Sequence, residues 1–138
     1  MKCRDILRKQ LRVDEGVRLK PYKDTVGKLT VGVGRNLDDK GLNLEEIAYL
    51  LDNDITDAEQ DARALFPSYD KLSEVRKAVL ANLCFNLGRD RAAQFKKLRK
   101  AVLDEDWSQA AIEMLNSKWA SQVGARATRL AKQMETGE

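Results

Sequence analysis

The 138-residue chain has no histidine, only two cysteines and two prolines, and aromatic side chains make up 6% of it. Without histidine there is no Ser-His-Asp or Cys-His triad, and most catalytic zinc sites are excluded. Chemistry near neutral pH then falls to carboxylates, hydroxyls, lysines or the two thiols. Cys3 and Cys84 stand apart with no Cys-x-x-Cys spacing. A chain long enough for a full core does not need a disulfide scaffold, so both read as reduced thiols, Cys84 in the core and Cys3 on the first helix. No apolar run approaches a membrane span. Residues 1–13 carry a charge every few positions where a signal segment would be apolar. The expectation is a protein made and kept in the cytoplasm unless something else releases it.

What is present is ordinary for a soluble globular domain: 43% hydrophobic and 34% charged residues, with a net charge of +3. The length suits one domain. Charge is unevenly placed. Residues 36–74 hold eleven acidic side chains against three basic ones, leaving the remainder of the chain at +11. A basic surface of that kind suits nucleic acid or any other polyanionic polymer, or is simply a solvated face.

Hydrophobic spacing gives the organisation. Cys3, Leu7 and Leu11 recur every four residues with Ile6 alongside, which predicts a short amphipathic helix stopped by Asp14-Glu15-Gly16. From residue 17 to 35 the texture changes. Tyr22, Val26, Leu29, Thr30, Val31 and Val33 are strand formers, and Asp24-Thr25-Val26-Gly27 is turn chemistry. This is a hairpin or small meander, with Gly32 and Gly34 marking a bulge or close backbone approach. Residues 36–41 read as a loop. Asn43, with Glu46 three residues on, forms a capping box opening a helix whose apolar stripe runs from Leu44 through Ile47, Leu51, Ile55, Ala58 and Ala62 to Leu65. Residues 73–87 are apolar nearly all round and predict a central helix ended by Gly88. Short helices follow at 90–94 and 96–104. A further capping box, Asp106 to Gln109, opens the next helix, and a last one runs from about 124 to 134. The class is α+β.

Several generic motifs fail. Gly32-Val33-Gly34 lacks the third glycine and the βαβ context of a dinucleotide site, Gly27-Lys28 lacks the upstream glycine of a phosphate loop, and nothing has EF-hand spacing. What remains is a pair of carboxylates, Glu15 where the first helix runs out and Asp24 nine residues later in the turn region, with Thr30 on the returning strand. Two carboxylates on separate elements are what glycoside hydrolysis needs, one to protonate the leaving oxygen and one to activate water or stabilise positive charge. Such pairs also occur at helix ends for capping alone.

The run Asp14-Glu15-Gly16-Val17-Arg18-Leu19-Lys20, then Tyr22-Lys23-Asp24-Thr25, Gly27 and Thr30-Val31-Gly32-Val33-Gly34, resembles the phage-type lysozymes, the endolysins of glycoside hydrolase family 24. The likeness continues through Asp54, the segment Asn82-Leu83-Cys84-Phe85-Asn86-Leu87-Gly88, Trp107, Trp119, Arg126 and Arg129, and so covers nearly the whole chain. It implies a single lysozyme-like domain: a sheet lobe at about 14–42, a connecting helix at about 43–65, and a helical lobe at about 66–138 that the N-terminal helix joins.

It also implies Glu15 as general acid, with Asp24 and Thr30 positioning the attacking water and Asp24 stabilising oxocarbenium charge. Tyr22, Gly34, Phe85 and Asn86 would bind substrate, although core packing is an equal alternative for Phe85. Arg126 would pair with Glu15 and Arg129 with Asp14. The substrate would be the β-1,4 bond between N-acetylmuramic acid and N-acetylglucosamine in peptidoglycan, cleaved with inversion. No cofactor or metal, no nucleic acid, no membrane insertion and a monomeric state are implied, and reaching the wall would need a holin-type membrane lesion. Arg35 stands where the best-known member has a histidine facing an aspartate, here Asp54, so an Arg35–Asp54 pair that does not titrate physiologically is expected. The segment from Arg35 to Gly41 is shorter than in that member, and Asn86 replaces a glutamine.

Two rivals stand beside the enzyme. A non-catalytic wall-binding module of the same fold need not keep Glu15, Asp24 and Thr30 together. A nucleic-acid binder needs aromatics interleaved with Lys and Arg on one face, and this chain has few.

Overall fold

The elements of the computed structural model, which describes residues 2–138, follow one another as helices around one small sheet. They are α1 (Cys3–Glu15), β1 (Arg18–Lys23), β2 (Leu29–Gly32), β3 (Arg35–Asn36), α2 (Leu44–Leu65), a 3-10 turn (Tyr69–Lys71), α3 (Glu74–Leu87), α4 (Arg89–Ala93), α5 (Lys96–Leu103), α6 (Trp107–Leu115), α7 (Lys118–Val123) and α8 (Ala125–Thr136). The α+β class holds. The chain divides into two compact units, one up to Tyr49 and one from Leu50 to Glu138.

In the first unit α1 ends at Gly16, whose φ of +74° suits a residue without Cβ. Within this unit α1 buries none of its residues. The sheet is an antiparallel meander in the order β1-β2-β3, with a bulge on β1 between Arg18 and Tyr22. Tyr22 lies opposite Thr30, and Thr30 opposite Asn36. The β1–β2 turn closes as its residues predict, with the Asp24 carboxylate taking the Val26 N–H at 3.0 Å and the Lys28 N–H at 2.9 Å. Of the two readings, hairpin or small meander, the structure has the meander, and β3 runs one residue past the expected boundary, into Asn36. At the start of α2 the capping box is reciprocal: Glu46 N–H donates to Asn43 Oδ1 at 2.8 Å and Asn43 N–H to Glu46 Oε1 at 3.0 Å. The boundary between the units falls inside this unbroken helix, between Tyr49 and Leu50, and α1 falls in the first unit, whereas the sequence assigns it to the helical lobe.

The second unit holds the hydrophobic core. Ala58, Ala62 and Leu65 of α2 meet Val79, Leu80, Leu83 and Cys84 of α3, together with Met114, Trp119, Leu130 and Met134. Fully burying one such leucine contributes about 1.5–3 kcal/mol. Helix α3 is capped by Ser73, which accepts the Arg76 N–H at 3.2 Å. It is not buried on every side, because Phe85 is 46% exposed. Asp106 caps α6, but the Gln109 side chain donates forward to Glu113 at 2.9 Å, so only half of that expected box forms. Helix α7, capped by Ser117, has no counterpart in the sequence expectations. Among the described residues no helix is long and apolar enough to cross a membrane.

Candidate functional site

The first unit brings its three chemical residues to the ends of elements. Glu15 is the last residue of α1 and is exposed. Gly34, in the β2–β3 turn, lies directly against it: a Cβ built on Gly34 would sit 3.0 Å from Glu15 Oε2 and 3.2 Å from both Cγ and Cδ. The space beside Gly34 is thus filled by the Glu15 side chain, where the family resemblance implies only a contact to substrate.

Asp24 and Thr30 meet at the backbone of Lys28. The Lys28 N–H donates to Asp24 Oδ1, while the Lys28 carbonyl accepts the Asp24 N–H at 2.9 Å and the Thr30 hydroxyl at 3.0 Å. Thr30 is 4% exposed and is the only buried side chain among the described residues up to Tyr49. One carboxylate oxygen of Asp24 is therefore committed to the turn, and the other takes none of its hydrogen bonds. Tyr22, half-buried beside them in register with Thr30, has the Arg18 guanidinium 4.8 Å from its ring centre. Lys28 reaches Asp39 at 3.1 Å, and that hydrogen bond raises its pKa.

Arg35 corrects one expectation. Its guanidinium forks onto the carboxylate of Glu46 and also donates to the Gly41 carbonyl at 3.1 Å. The partner is Glu46, two helical turns before Asp54, because the short loop from Arg35 delivers the chain to the first turn of α2. The Arg35 hydrogen bond, helped by the Asn43 N–H, holds the Glu46 carboxyl down at about 2. Asp54 is exposed.

In the second unit, Arg126 donates through Nε, at 3.1 Å, and Nη2 to Asn82 Oδ1. Its implied partner Glu15 belongs to the other unit, as Asp14 does for the exposed Arg129. Asn86 accepts the Trp119 indole N–H at 3.0 Å, which fixes its amide while the indole is buried. Phe85 is exposed, so core packing is not its role; with Asn82 and Arg126 it lines a groove of about 500 Å³ beside Leu51, Ile55 and Ala58. Sequence reasoning did not single out Asn82 or Lys28. The signal for Asn82 was present, since Asn82 and Asn86 are amides spaced i, i+4 on an otherwise apolar helix. Lys28 acts through its backbone, which no side-chain pattern reveals.

Burial pushes the Cys84 thiol up to about 11, so it is an inert core residue. Among the described residues no cluster of Cys, Asp or Glu has the arrangement of a metal site.

Comparison with known proteins matches residues 12–135 to the phage lysozyme family model. The chain is 30% identical to the probable T4-type lysozyme 2 of Dictyostelium discoideum, with 95% of this chain and 94% of that protein covered. It is 29% identical to the probable T4-type lysozyme 1 of the same organism over the same shares. It is also 27% identical to the pre-baseplate central spike protein Gp5 of Enterobacteria phage T4, covering 92% of this chain and 27% of that protein.

Proposed function

From the premise that the chain belongs to the phage lysozyme family, we propose that it is a muramidase that hydrolyses the β-1,4 bond between N-acetylmuramic acid and N-acetylglucosamine in peptidoglycan. The observation that carries this reading is the joint presence of Glu15, Asp24 and Thr30 inside the matched segment, with the Glu15 carboxyl beside the space at Gly34 and the Asp24 and Thr30 side chains both bonded to the backbone of Lys28.

In this reading Glu15 donates its proton to the departing glycosidic oxygen. The uncommitted oxygen of Asp24 faces the developing oxocarbenium charge and accepts a proton from the incoming water. The Thr30 hydroxyl, buried and oriented by the Lys28 carbonyl, presents its lone pairs to the same water. Attack from the face opposite the leaving group inverts the anomeric carbon, and an inverting site needs about 6.5–9.5 Å between its carboxyl groups to admit that water. Tyr22 is a glycan contact of the first unit, and Phe85 and Asn86 are glycan contacts of the second.

The test is turbidity loss of purified cell walls with analysis of the new reducing ends, run on the wild type and on Glu15→Gln. Glutamine keeps the shape of the side chain but carries no acidic proton. Lysis with muramic acid at the new reducing end is expected for the wild type, and at least a 100-fold loss in a folded Glu15→Gln, since general acid catalysis contributes about 10²–10⁴ in rate. A folded, fully active Glu15→Gln removes the assignment.

A further inference from the structure

Gly32 and Gly34 share a φ of +68° but not one environment. A Cβ on Gly32 meets nothing within 4 Å. A Cβ on Gly34 meets three atoms of a single side chain, Glu15 Oε2 at 3.0 Å and Glu15 Cδ and Cγ at 3.2 Å. Contacts that short force something to move. The backbone at Gly34 is held by the pairing of Val31 with Arg35 on either side of the turn, and Arg35 is itself tied to Glu46. The side that yields is the Glu15 side chain, which has free torsions and makes no ion pair within its own unit.

We propose that Gly34 is a positioning residue for the Glu15 carboxyl group: the missing side chain forms the seat on which the acid lies, and any Cβ there turns the acid out of line with its glycosidic oxygen. The inference rests on the reading of Glu15 as general acid. It separates two demands on glycine that a sequence cannot. Both turn positions need glycine for their positive φ; Gly34 alone needs it also for space. The contacts call for a shift of a few tenths of an ångström in the acid; since about 1 Å at a reacting group costs up to about 100-fold in rate, a single methyl is expected to cost several-fold.

The experiment compares Gly34→Ala with Gly32→Ala in the full chain. Both place an alanine at the same positive φ, and both are expected to lower the thermal midpoint. On soluble, uncrosslinked peptidoglycan, Gly34→Ala is expected to lose about 3- to 10-fold in kcat with KM within about twofold, while Gly32→Ala keeps its kcat. The side-chain carboxyl carbon resonance of Glu15 moves in Gly34→Ala and stays in Gly32→Ala. Equal kcat losses in the two variants, or an unmoved Glu15 resonance in Gly34→Ala, overturn the proposal. If Gly34→Ala does not fold, the double variant Glu15→Ala with Gly34→Ala is expected to fold as well as Gly32→Ala, because alanine at position 15 removes all three contacting atoms; failure to recover overturns it. Glu15→Gln in parallel separates the two readings. An active Glu15→Gln removes the acid assignment, and the Glu15 resonance still reports whether the seat exists.

Discussion

One carbonyl organises the turn side of the proposed site. The Lys28 oxygen accepts from both the Asp24 N–H and the Thr30 hydroxyl, so Thr30 can lose its bond without leaving that oxygen bare. Thr30→Val is therefore expected to cost only about 1 kcal/mol, the net worth of one intramolecular hydrogen bond, while wall lysis falls far more because no hydroxyl remains to hold water. Thr30→Ser is expected to keep both. Urea midpoints against lysis rates check the pair, and a Thr30→Val variant as active as the wild type would place Thr30 in a purely structural role. At this scale the sequence was informative where a residue's chemistry is unusual for its context: a carboxylate at a helix end, a carboxylate in a tight turn, a threonine before two glycines. It was silent where the partner decides. Arg35 reads the same whether it meets Asp54 or Glu46, and only the path of the loop to α2 selects Glu46.

Helix ends account for several of the tertiary bonds. Arg76 on α3 donates through Nε to the Met134 carbonyl at 2.8 Å and through Nη2 to the Glu135 carbonyl at 2.9 Å, with its guanidinium 4.0 Å from the Trp107 ring centre. The last carbonyls of a helix have no partner of their own, and here a cation meets the negative end of α8 as well. Arg76→Ala is expected to destabilise the fold by about 2 kcal/mol, since it removes two charge-assisted bonds and a cation–π contact. Arg76→Lys, which keeps the charge and loses the fork, falls between; denaturant midpoints measure both, and an Arg76→Ala midpoint equal to that of the wild type contradicts the clamp. At the start of α2 the Glu46 carboxyl sits at about 2 against an ordinary 4.5, chiefly through its hydrogen bond from Arg35. A carboxyl depressed by folding stabilises fully above about pH 4.5 and loses that contribution as the pH falls toward 2. The stability gap between wild type and Glu46→Gln is expected to close across that window, and a gap unchanged at pH 2 rules the pair out as its source. The Asn43–Glu46 box was legible because both partners lie within one turn. Helix α7 was not, because six residues are too few for a hydrophobic period and Ser117 is its main signal.

Across the whole molecule, charge is the property that composition predicts and the fold distributes. Residues 89–100 carry Arg89, Arg91, Lys96, Lys97, Arg99 and Lys100 against the single acid Asp90. Of these, Lys100 reaches Asp104 at 2.7 Å, and Arg99 donates to the carbonyls of Leu65 and Ala93. Arg91, Lys96 and Lys97 enter no ion pair among the described residues; with Lys118 they rim a groove of about 590 Å³ lined also by Trp119. The place of the boundary between the two units, by contrast, was not readable, because α2 runs through it with an unbroken apolar stripe. Unpaired cations around a groove attract a polyanionic wall before any specific contact forms, and that attraction fades with salt. The Debye length falls from about 10 Å at 0.1 M to about 3 Å at 1 M ionic strength, so lysis of intact walls is expected to drop steeply over this range, through KM rather than kcat. Soluble uncharged glycan fragments, for which capture contributes nothing, are expected to be cleaved at nearly the same rate throughout. Replacing Arg91, Lys96 and Lys97 together by glutamine should give a wild-type rate on the fragments and a flattened salt response on walls. A triple variant with the wild-type salt response would show that the attraction arises elsewhere on the surface.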